Sequence, residues 1–176
     1  MCDEMLLRLG RWLRAAGYDT AIAAGGTEDA ALIARCAAEN RVLLTRDRPL
    51  AARAEASVAV VHLAEETIDA QARALAAALG IDWLHALFTR CVVDNAVLVP
   101  APPEAWAEVP PRSREAVGLQ PTGLTRGGKL LRCPQCSRLY WPGGHVRRMR
   151  QRLAAWAGGA TGASGLCSGP GGGKLT

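Results

Sequence analysis

Apolar residues recur every three or four positions in three stretches of the first half of the chain, a spacing that predicts three helices. The first stretch covers 5–16 and ends at Gly17. The second follows Thr27, a predicted N-cap, and the third begins after Thr67 and ends at Gly80. The polar positions between the apolar ones indicate that each helix has one face on a core and one face in solvent.

Short apolar runs separate these helices and predict strands at 18–23, 41–44 and 57–61, with a short helix near 50–54. Strands and helices that alternate at this spacing predict an α/β fold with a doubly wound parallel sheet. Such a sheet needs a strand before its first helix, yet only Met1 and Cys2 precede Asp3. We therefore predict that the first strand is truncated.

The pattern changes after Ile81. Five prolines between 100 and 111 predict irregular chain, and 121–129 is rich in turn residues. An apolar stripe, with arginines at the other positions, predicts a basic terminal helix that packs on the second module: Val146, Met149, Leu153 and Trp156. We predict a first domain at 1–84, a second module at 85–157 and a disordered Gly/Ala/Ser-rich tail at 158–176.

Charge is distributed unevenly along the 176 residues. Residues 1–84 carry 9 Lys/Arg against 12 Asp/Glu, a net charge of −3, and residues 85–176 carry 12 against 4, a net charge of +8. This asymmetry favours a metal-dependent site joined to a surface that binds a polyanion. The same net charges result if the charged residues serve only solubility and are distributed unevenly. Charged residues among the apolar ones at 3–14 exclude a signal peptide or membrane span there, so we expect a cytoplasmic protein with no membrane partner.

Three aspartates follow predicted strand ends or helix starts: Asp3, Asp29 and Asp47. Asp47 carries the clearest signal, because the apolar run at 42–44 breaks off directly into Thr45-Arg46-Asp47-Arg48. If the first and third strands are adjacent, the three carboxylates converge at one edge of the sheet. Their repulsion would then require a divalent cation, and oxygen ligands suit Mg²⁺ or Mn²⁺, which can activate water against a phosphodiester.

Each aspartate also has a simpler explanation. Asp29 is favoured by the dipole at a helix start, Asp47 can begin a turn, and Asp3 can cap a helix.

The cysteines fall into two groups. Cys2 and Cys36 lie within predicted strand or helix contexts, where a reduced buried thiol is expected. Cys133 and Cys136 form a Cys-x-x-Cys pair, which in a reducing compartment favours a metal-binding knuckle over a disulfide. A redox protein that uses this pair is a further alternative.

Several motifs between residues 3 and 153 occur in the order seen in one protein family: Asp3-Glu4-Met5-Leu6, Arg11-Trp12-Leu13-Arg14, Gly17-Tyr18-Asp19-Thr20, Leu43-Leu44-Thr45-Arg46-Asp47-Arg48, Arg90-Cys91, and Cys133-x-x-Cys136 with Tyr140-Trp141 and His145. Together they resemble the Mut7-C family, a PIN-like ribonuclease domain fused to a zinc ribbon. The resemblance implies a PIN-like α/β/α sandwich and metal-dependent cleavage of RNA.

The resemblance also implies roles for individual residues. Asp3, Asp29 and Asp47 fall on the acidic positions that would hold Mg²⁺ or Mn²⁺, with Glu28 as a weaker substitute for Asp29. Four arginines lie where they can contact phosphates: Arg11, Arg14, Arg46 and Arg48. Arg14 can equally lie along the helix surface. The structural zinc ligands would be Cys91, Asp94, Cys133 and Cys136, with Asp94 in place of a usual cysteine.

The chain departs from the family at Asp94, at Leu7, where glycine is frequent, and at the truncated first strand. The strand would be missing because translation starts further upstream or because the chain is truncated. Without that strand, Asp3 is expected to be poorly anchored. The truncated strand and Asp94 favour the alternative of a non-catalytic RNA-binding protein with a decayed nuclease site. On the second module, Tyr140 and Trp141 either stack RNA bases or pack beside the zinc knuckle, and His145 is either structural or in contact with RNA.

Overall fold

The computed structural model describes residues 1–125 and 128–160. The predicted tail from residue 161 onward lies outside the described residues, whereas 158–160 form the end of the last helix. Among the described residues, no helix combines the length and the apolarity that crossing a bilayer requires.

The first half of the chain forms a small parallel sheet. Strand β1, Leu43–Thr45, pairs in parallel with β2, Val60–His62. On the other side of β1, Cys2 bridges both Leu44 and Ile22 in parallel. The first and third chain segments of the sheet are therefore adjacent, which is the arrangement that the convergence of the aspartates requires. The strand predicted at 18–23 is reduced to the single bridge at Ile22.

Met1 and Cys2 occupy the position of the predicted first strand. Met1 and Cys2 are both buried. The Cys2 N–H donates to the Ala21 carbonyl at 2.8 Å, and the Leu44 N–H donates to the Met1 carbonyl at 2.8 Å. The next N–H, that of Asp3, donates to the Leu44 carbonyl at 3.0 Å. The expectation that Asp3 is poorly anchored was therefore wrong, because its backbone continues a ladder bonded on both sides.

Four helices cover the two faces of this sheet. After a 3₁₀ turn at Glu4–Leu6, they are α1 (Leu7–Ala15), α2 (Asp29–Ala38), α3 (Arg48–Ala54) and α4 (Ile68–Leu79). Leu43 lies in one apolar cluster with residues of α2 and α3, and Leu44 lies in another with residues of α1 and α4. Since successive strand residues point to opposite faces, the sheet is covered by helices on both sides.

The helix ends test the predicted caps. Thr67 caps α4 by accepting the Ala70 N–H at 3.3 Å, and Gly80 ends that helix in the left-handed region at φ 65°, so both predictions are confirmed. The N-cap of α2 is Glu28 and not Thr27, whose hydroxyl instead donates to the Ala24 carbonyl. The cap of α2 therefore lies one residue later than predicted.

The second module contains more regular structure than its prolines predicted. Strand β3 (Val99–Pro100) is followed by a 3₁₀ helix at Pro103–Glu108 and by α5 (Pro111–Val117). A hairpin of β4 (Leu124–Thr125) and β5 (Gly128–Lys129) follows, and then β6 (Leu131–Arg132) and β7 (Leu139–Tyr140). The three strands β3, β6 and β7 form an antiparallel sheet. The proline-rich segment folds because it contributes to a small core with Ala105, Val109, Val117 and Leu130.

The terminal helix α6, Gly144–Ala160, packs its second half on the first half of the chain. Leu153 and Trp156 join the core beneath α1 and α4, and the Trp156 ring meets Trp12 and Trp83 edge-on at 5.0 Å. The prediction that this stripe packs on the second module was therefore wrong for these two residues.

One arginine of α6 contacts the first half of the chain. Arg152 does not face outward to solvent; it pairs with Asp69 of α4, with the closest N···O distance at 2.8 Å. Hydrogen bonds from Arg152, and then from the Trp156 indole, hold the pKa of Asp69 below its usual value.

Candidate active site and metal centre

The three predicted aspartates line one small pocket beside the sheet. Asp3, Asp29 and Asp47, together with Glu4, border a cavity of about 90 Å³. Asp3 follows the first strand, Asp47 lies two residues beyond β1, and Asp29 begins α2. A cavity of this volume has room for a cation and some of its water. The structure therefore brings together the three acids that the sequence suggested, and it adds Glu4.

Asp3 is the most firmly held of the four acids. Its side chain is buried, with the residue only 4% exposed. One carboxylate oxygen, Oδ1, accepts the Leu6 N–H at 3.1 Å. The other, Oδ2, accepts the Thr45 hydroxyl and the Arg46 N–H. These three donors fix the orientation of the carboxylate.

Thr45 connects two of the acids and was missed in the sequence analysis. Its hydroxyl donates to Asp3 and accepts the Asp47 N–H at 2.9 Å. Thr45 is fully buried at the end of β1. A hydroxyl in the last residue of an apolar strand, directly before a candidate acid, is the signal that could have revealed it.

Asp47 and Asp29 each have a structural role as well: Asp29 lies at a helix start, as its simpler explanation predicted, whereas Asp47 caps a helix and does not begin a turn. Asp47 caps α3 by accepting the Leu50 N–H at Oδ1, 2.9 Å away. Asp29, in the first turn of α2, forms an ion pair with Arg53 of α3. Glu28 is exposed and does not line the pocket, so the structure offers no support for it as a substitute for Asp29.

The pocket suits a cation that keeps much of its water. A carboxylate oxygen has two lone pairs, so the hydrogen bonds to Asp3 and Asp47 leave acceptor capacity, and no donor among the described residues contacts Asp47 Oδ2. Among the described residues, these acids do not form a cluster in which three carboxylates lie as close together as the ligand atoms of a preformed metal site. Mg²⁺ commonly binds through one or two carboxylates, water and substrate phosphate, so a magnesium site does not need three carboxylates in direct contact with the ion.

Three of the four predicted phosphate-binding arginines remain available. Arg48 and Arg11 are exposed, and Arg46 is half-buried beside Asp47. The buried Arg46 Nε has no hydrogen-bond acceptor among the described residues. Because buried donors in proteins are nearly always paired, this guanidinium is under-satisfied next to the acidic pocket.

Arg14 has a different environment from the other three. The residue is only 6% exposed, and Nε donates to the Thr20 carbonyl at 2.8 Å. Nη1 donates to the carbonyls of Val92 and Val93, in the loop that carries Cys91. Burial lowers the pKa of Arg14. The predicted phosphate contact is replaced by a clamp that ties this loop to α1.

Replacing Arg14 by methionine is expected to lower the free energy of unfolding by about 3 kcal/mol. Methionine fills the space of the aliphatic stem but leaves the three carbonyls without their donor. Urea unfolding followed by circular dichroism measures the change. The matched control is Arg8→Met on the exposed face of α1, with an expected change within about 0.5 kcal/mol. Equal losses in both variants would contradict the clamp.

A second group of ligand atoms lies in the other half of the chain. The side chains of Cys91, Asp94, Cys133 and Cys136 converge, with all four ligand atoms within 4.8 Å of one another. The Cys91 and Cys136 sulfurs are 3.8 Å apart, and Asp94 Oδ2 lies 3.4 Å from the sulfurs of Cys91 and Cys133. Tetrahedral zinc with ordinary bond lengths separates two sulfurs by about 3.8 Å and a sulfur from an oxygen by about 3.5 Å. Three of the six separations therefore match those of a tetrahedral zinc site, and the four side chains could hold a metal ion such as zinc.

The two loops that supply these ligands have the same backbone geometry. In the first, the Asp94 N–H points to the Cys91 sulfur at 3.3 Å, and the Asn95 N–H donates to the Cys91 carbonyl at 2.9 Å. In the second, the Cys136 and Ser137 N–H groups make the same bonds to Cys133, at 3.5 and 3.0 Å. Asn95 and Ser137 both adopt a left-handed conformation. Asp94 therefore occupies the position in its loop that Cys136 occupies in the other.

The model of the Mut7-C RNAse domain family matches residues 1–153, which include both the acidic pocket and the cysteine cluster. The chain belongs to this family. No curated protein and no solved structure matches it significantly. The family membership that the motifs predicted is confirmed, and it suggests a ribonuclease-like function with RNA as the substrate.

Tyr140 supports the cysteine cluster of this Mut7-C RNAse domain from outside. Its hydroxyl donates to the Cys91 sulfur at 3.1 Å and accepts the Val92 N–H at 3.2 Å. Burial, followed by this bond to Cys91, raises the pKa of Tyr140. Burial opposes ionisation of Cys91, but the bonds from Tyr140 and from backbone N–H groups outweigh it and lower its pKa. A lowered thiol pKa favours the thiolate that binds a metal.

Asp94 and Cys136 shift each other's pKa, and the directions keep the proton on the thiol. Hydrogen bonding to Cys136 lowers the pKa of Asp94, and the same contact raises the pKa of Cys136 to about 11. A bound cation would displace this proton, since metal ligands must be deprotonated.

Proposed function

We propose that this protein is a metal-dependent ribonuclease with a PIN-like architecture, which hydrolyses RNA phosphodiester bonds at the acidic pocket. The observation that carries the proposal is the convergence of Asp3, Asp29 and Asp47 beside one edge of a parallel sheet. Membership of the Mut7-C RNAse domain family supports the reaction class. The helices on both faces of the sheet are consistent with the proposed architecture.

The acids of the pocket have different roles in binding Mg²⁺ or Mn²⁺. Asp47 and Asp29 are the more exposed ligands, and Asp3 is a fixed, buried carboxylate whose orientation Thr45 maintains. When bound, the cation supplies Lewis acidity at the phosphate and lowers the pKa of a coordinated water. Arg46 and Arg48 flank Asp47 and can donate paired hydrogen bonds to phosphate oxygens, with Arg11 as a further contact.

The cysteine cluster has a structural role in this proposal. Zinc held by the three cysteines and Asp94 fixes the two ligand loops, and Arg14 joins one of these loops to α1. No step of the hydrolysis needs these residues, and the second module contributes to RNA binding.

A non-catalytic RNA-binding protein is the alternative. One of its grounds was the truncated first strand, and this ground is weakened because Asp3 is fully integrated in the sheet. The redox alternative, through Cys133 and Cys136, has a competing explanation in the convergence of four ligand atoms.

The direct test measures cleavage of a labelled single-stranded RNA by the full chain loaded with zinc and freed of other cations. Products are expected when Mn²⁺ or Mg²⁺ is added and not when more zinc is added. Absence of cleavage with both cations, in folded and zinc-loaded protein, would favour the non-catalytic alternative.

A further inference from the structure

Two neighbouring cavities lie on the second module, away from the residues that line the acidic pocket. One has a volume of about 190 Å³ and the other about 350 Å³, and both are lined by Tyr140, Trp141 and Val146. The two cavities share these three lining residues, and we call the pair of cavities the aromatic groove. Its defining residues are Phe88, Lys129, Arg138, Tyr140, Trp141 and Arg150.

Hydrogen bonds fix the Tyr140 side chain and the Phe88 backbone of the groove. Tyr140 is fixed through its hydroxyl, which bonds to Cys91 and to the Val92 N–H. Phe88 has a left-handed backbone with φ 57°, which is rare for a bulky residue, and its N–H donates to the Ala15 carbonyl at 2.8 Å. Such strained conformations persist where the surrounding structure enforces them, and they are frequent at binding sites.

The ionisable side chains that line the groove are all basic or neutral. Lys129 and Arg150 border the first cavity, and Arg138 and His145 border the second. No Asp or Glu is among the residues that line either cavity, within the described part of the chain. The sequence itself contains no acidic residue after Glu115. The groove therefore combines apolar rings with a positive rim.

We propose that the aromatic groove binds unstacked bases of single-stranded RNA while Lys129, Arg138 and Arg150 neutralise the neighbouring phosphates. Aromatic rings within a basic groove are the usual recognition surface for single strands, because every base can stack on a ring. In duplex RNA the bases are already stacked and paired, so they cannot enter. The choice of RNA over other polyanions rests on the proposed function.

Fluorescence anisotropy with a fluorescein-labelled single-stranded RNA, and with the same strand annealed to its complement, tests the proposal. The binding assays use the full chain carrying Asp47→Asn and no added Mg²⁺ or Mn²⁺, so that cleavage does not interfere. The single strand is expected to bind at least about tenfold more tightly than the duplex. Equal affinities would overturn the proposal.

Two kinds of variant separate stacking from charge. Trp141→Leu is expected to weaken single-strand binding roughly 5- to 100-fold without changing its salt dependence. The double variant Lys129→Gln/Arg150→Gln should weaken binding and reduce the slope of log affinity against log salt by about 1.4. The matched control is Arg73→Gln, an exposed arginine on α4 outside the groove, with unchanged affinity expected. Unchanged binding in both groove variants would overturn the proposal.

If Trp141→Leu does not fold, photocrosslinking gives an independent readout. A single strand that contains 4-thiouridine is crosslinked to the chain with no groove substitution. Crosslinks are expected at Phe88 or within 128–150, and crosslinks confined to other segments would overturn the proposal. These assays measure binding only, so a chain that binds at the groove but cleaves nothing would refute the proposed ribonuclease function and leave the groove established.

Discussion

Replacing Asp47 by asparagine is expected to reduce Mn²⁺-dependent RNA cleavage by a factor on the order of 10²–10³, while the fold stays intact. Asparagine is a good N-cap, so its side-chain oxygen can still accept the Leu50 N–H and begin α3. It removes the negative charge, and with it most of the affinity of this position for a hard cation. Initial rates at saturating Mn²⁺, compared with the unsubstituted chain, measure the loss.

The matched control for Asp47→Asn is Asp82→Asn. Asp82 is exposed, also accepts a backbone N–H at its carboxylate, from Leu84 at 2.8 Å, and does not line the acidic pocket. Its substitution should leave the cleavage rate unchanged. RNA affinity should be retained in both variants, because the arginines that contact phosphate are unaltered. Full activity in Asp47→Asn, or an equal loss in Asp82→Asn, would contradict the assignment of Asp47.

Removing the metal from the cysteine cluster is expected to have the largest effect on stability. Structural zinc sites contribute about 10 kcal/mol or more of binding free energy to folding in small zinc domains. The loss should reach the first half of the chain as well, since Arg14 bonds to the loop that carries Cys91. Thermal unfolding before and after chelation is expected to show a large fall in Tm, which re-addition of zinc reverses. An unchanged Tm in protein shown to contain no zinc would contradict a structural metal.

Two substitutions at Asp94 identify it as a ligand or exclude it. Asp94→Ala should weaken zinc binding by at least about tenfold, measured by competition with a chromophoric chelator. Asp94→Cys should strengthen it, because the loop geometry matches that of Cys136 and thiolate is the softer ligand. Asp82→Ala is the control and should leave zinc binding unchanged. Equal affinities across the three variants would show that the three cysteines alone bind the ion.

Local patterns predicted the helices of the first half and its strands near 43–45 and 60–62, because each depends on residues close in sequence, whereas the strand predicted at 18–23 is reduced to one bridge. Thr67 and Gly80 mark the ends of α4 through hydrogen bonds within one turn of the helix. The proline-rich segment was predicted less well, since α5 is stabilised by apolar contacts to residues such as Leu130 that follow later in the chain. Its regular structure depends on those distant contacts.

The environment of individual charged residues could not be read from their neighbours in sequence. Arg14 and Arg11 lie on the same helix, yet one is buried against carbonyls some 78 residues further along the chain and the other is exposed. Asp3 looked unsupported because only two residues precede it, but its support comes from Leu44, Thr45 and Arg46. In both cases the deciding hydrogen bonds join segments far apart in sequence.

The sequence by itself determined the α/β class of the first half, the family, and the identity of the acids and cysteines that form the two candidate sites. Helix and strand periodicity, strand-end positions and ligand spacing are local properties, so a single chain displays them. Only the tertiary structure decided that Cys2 bridges both Ile22 and Leu44, that Thr45 connects Asp3 to Asp47, and that the loop of Asp94 has the geometry of the loop of Cys136. It also decided the role of Arg14 and the packing of α6. These features depend on contacts between residues that are far apart in sequence, and the residues next to each position do not specify such contacts.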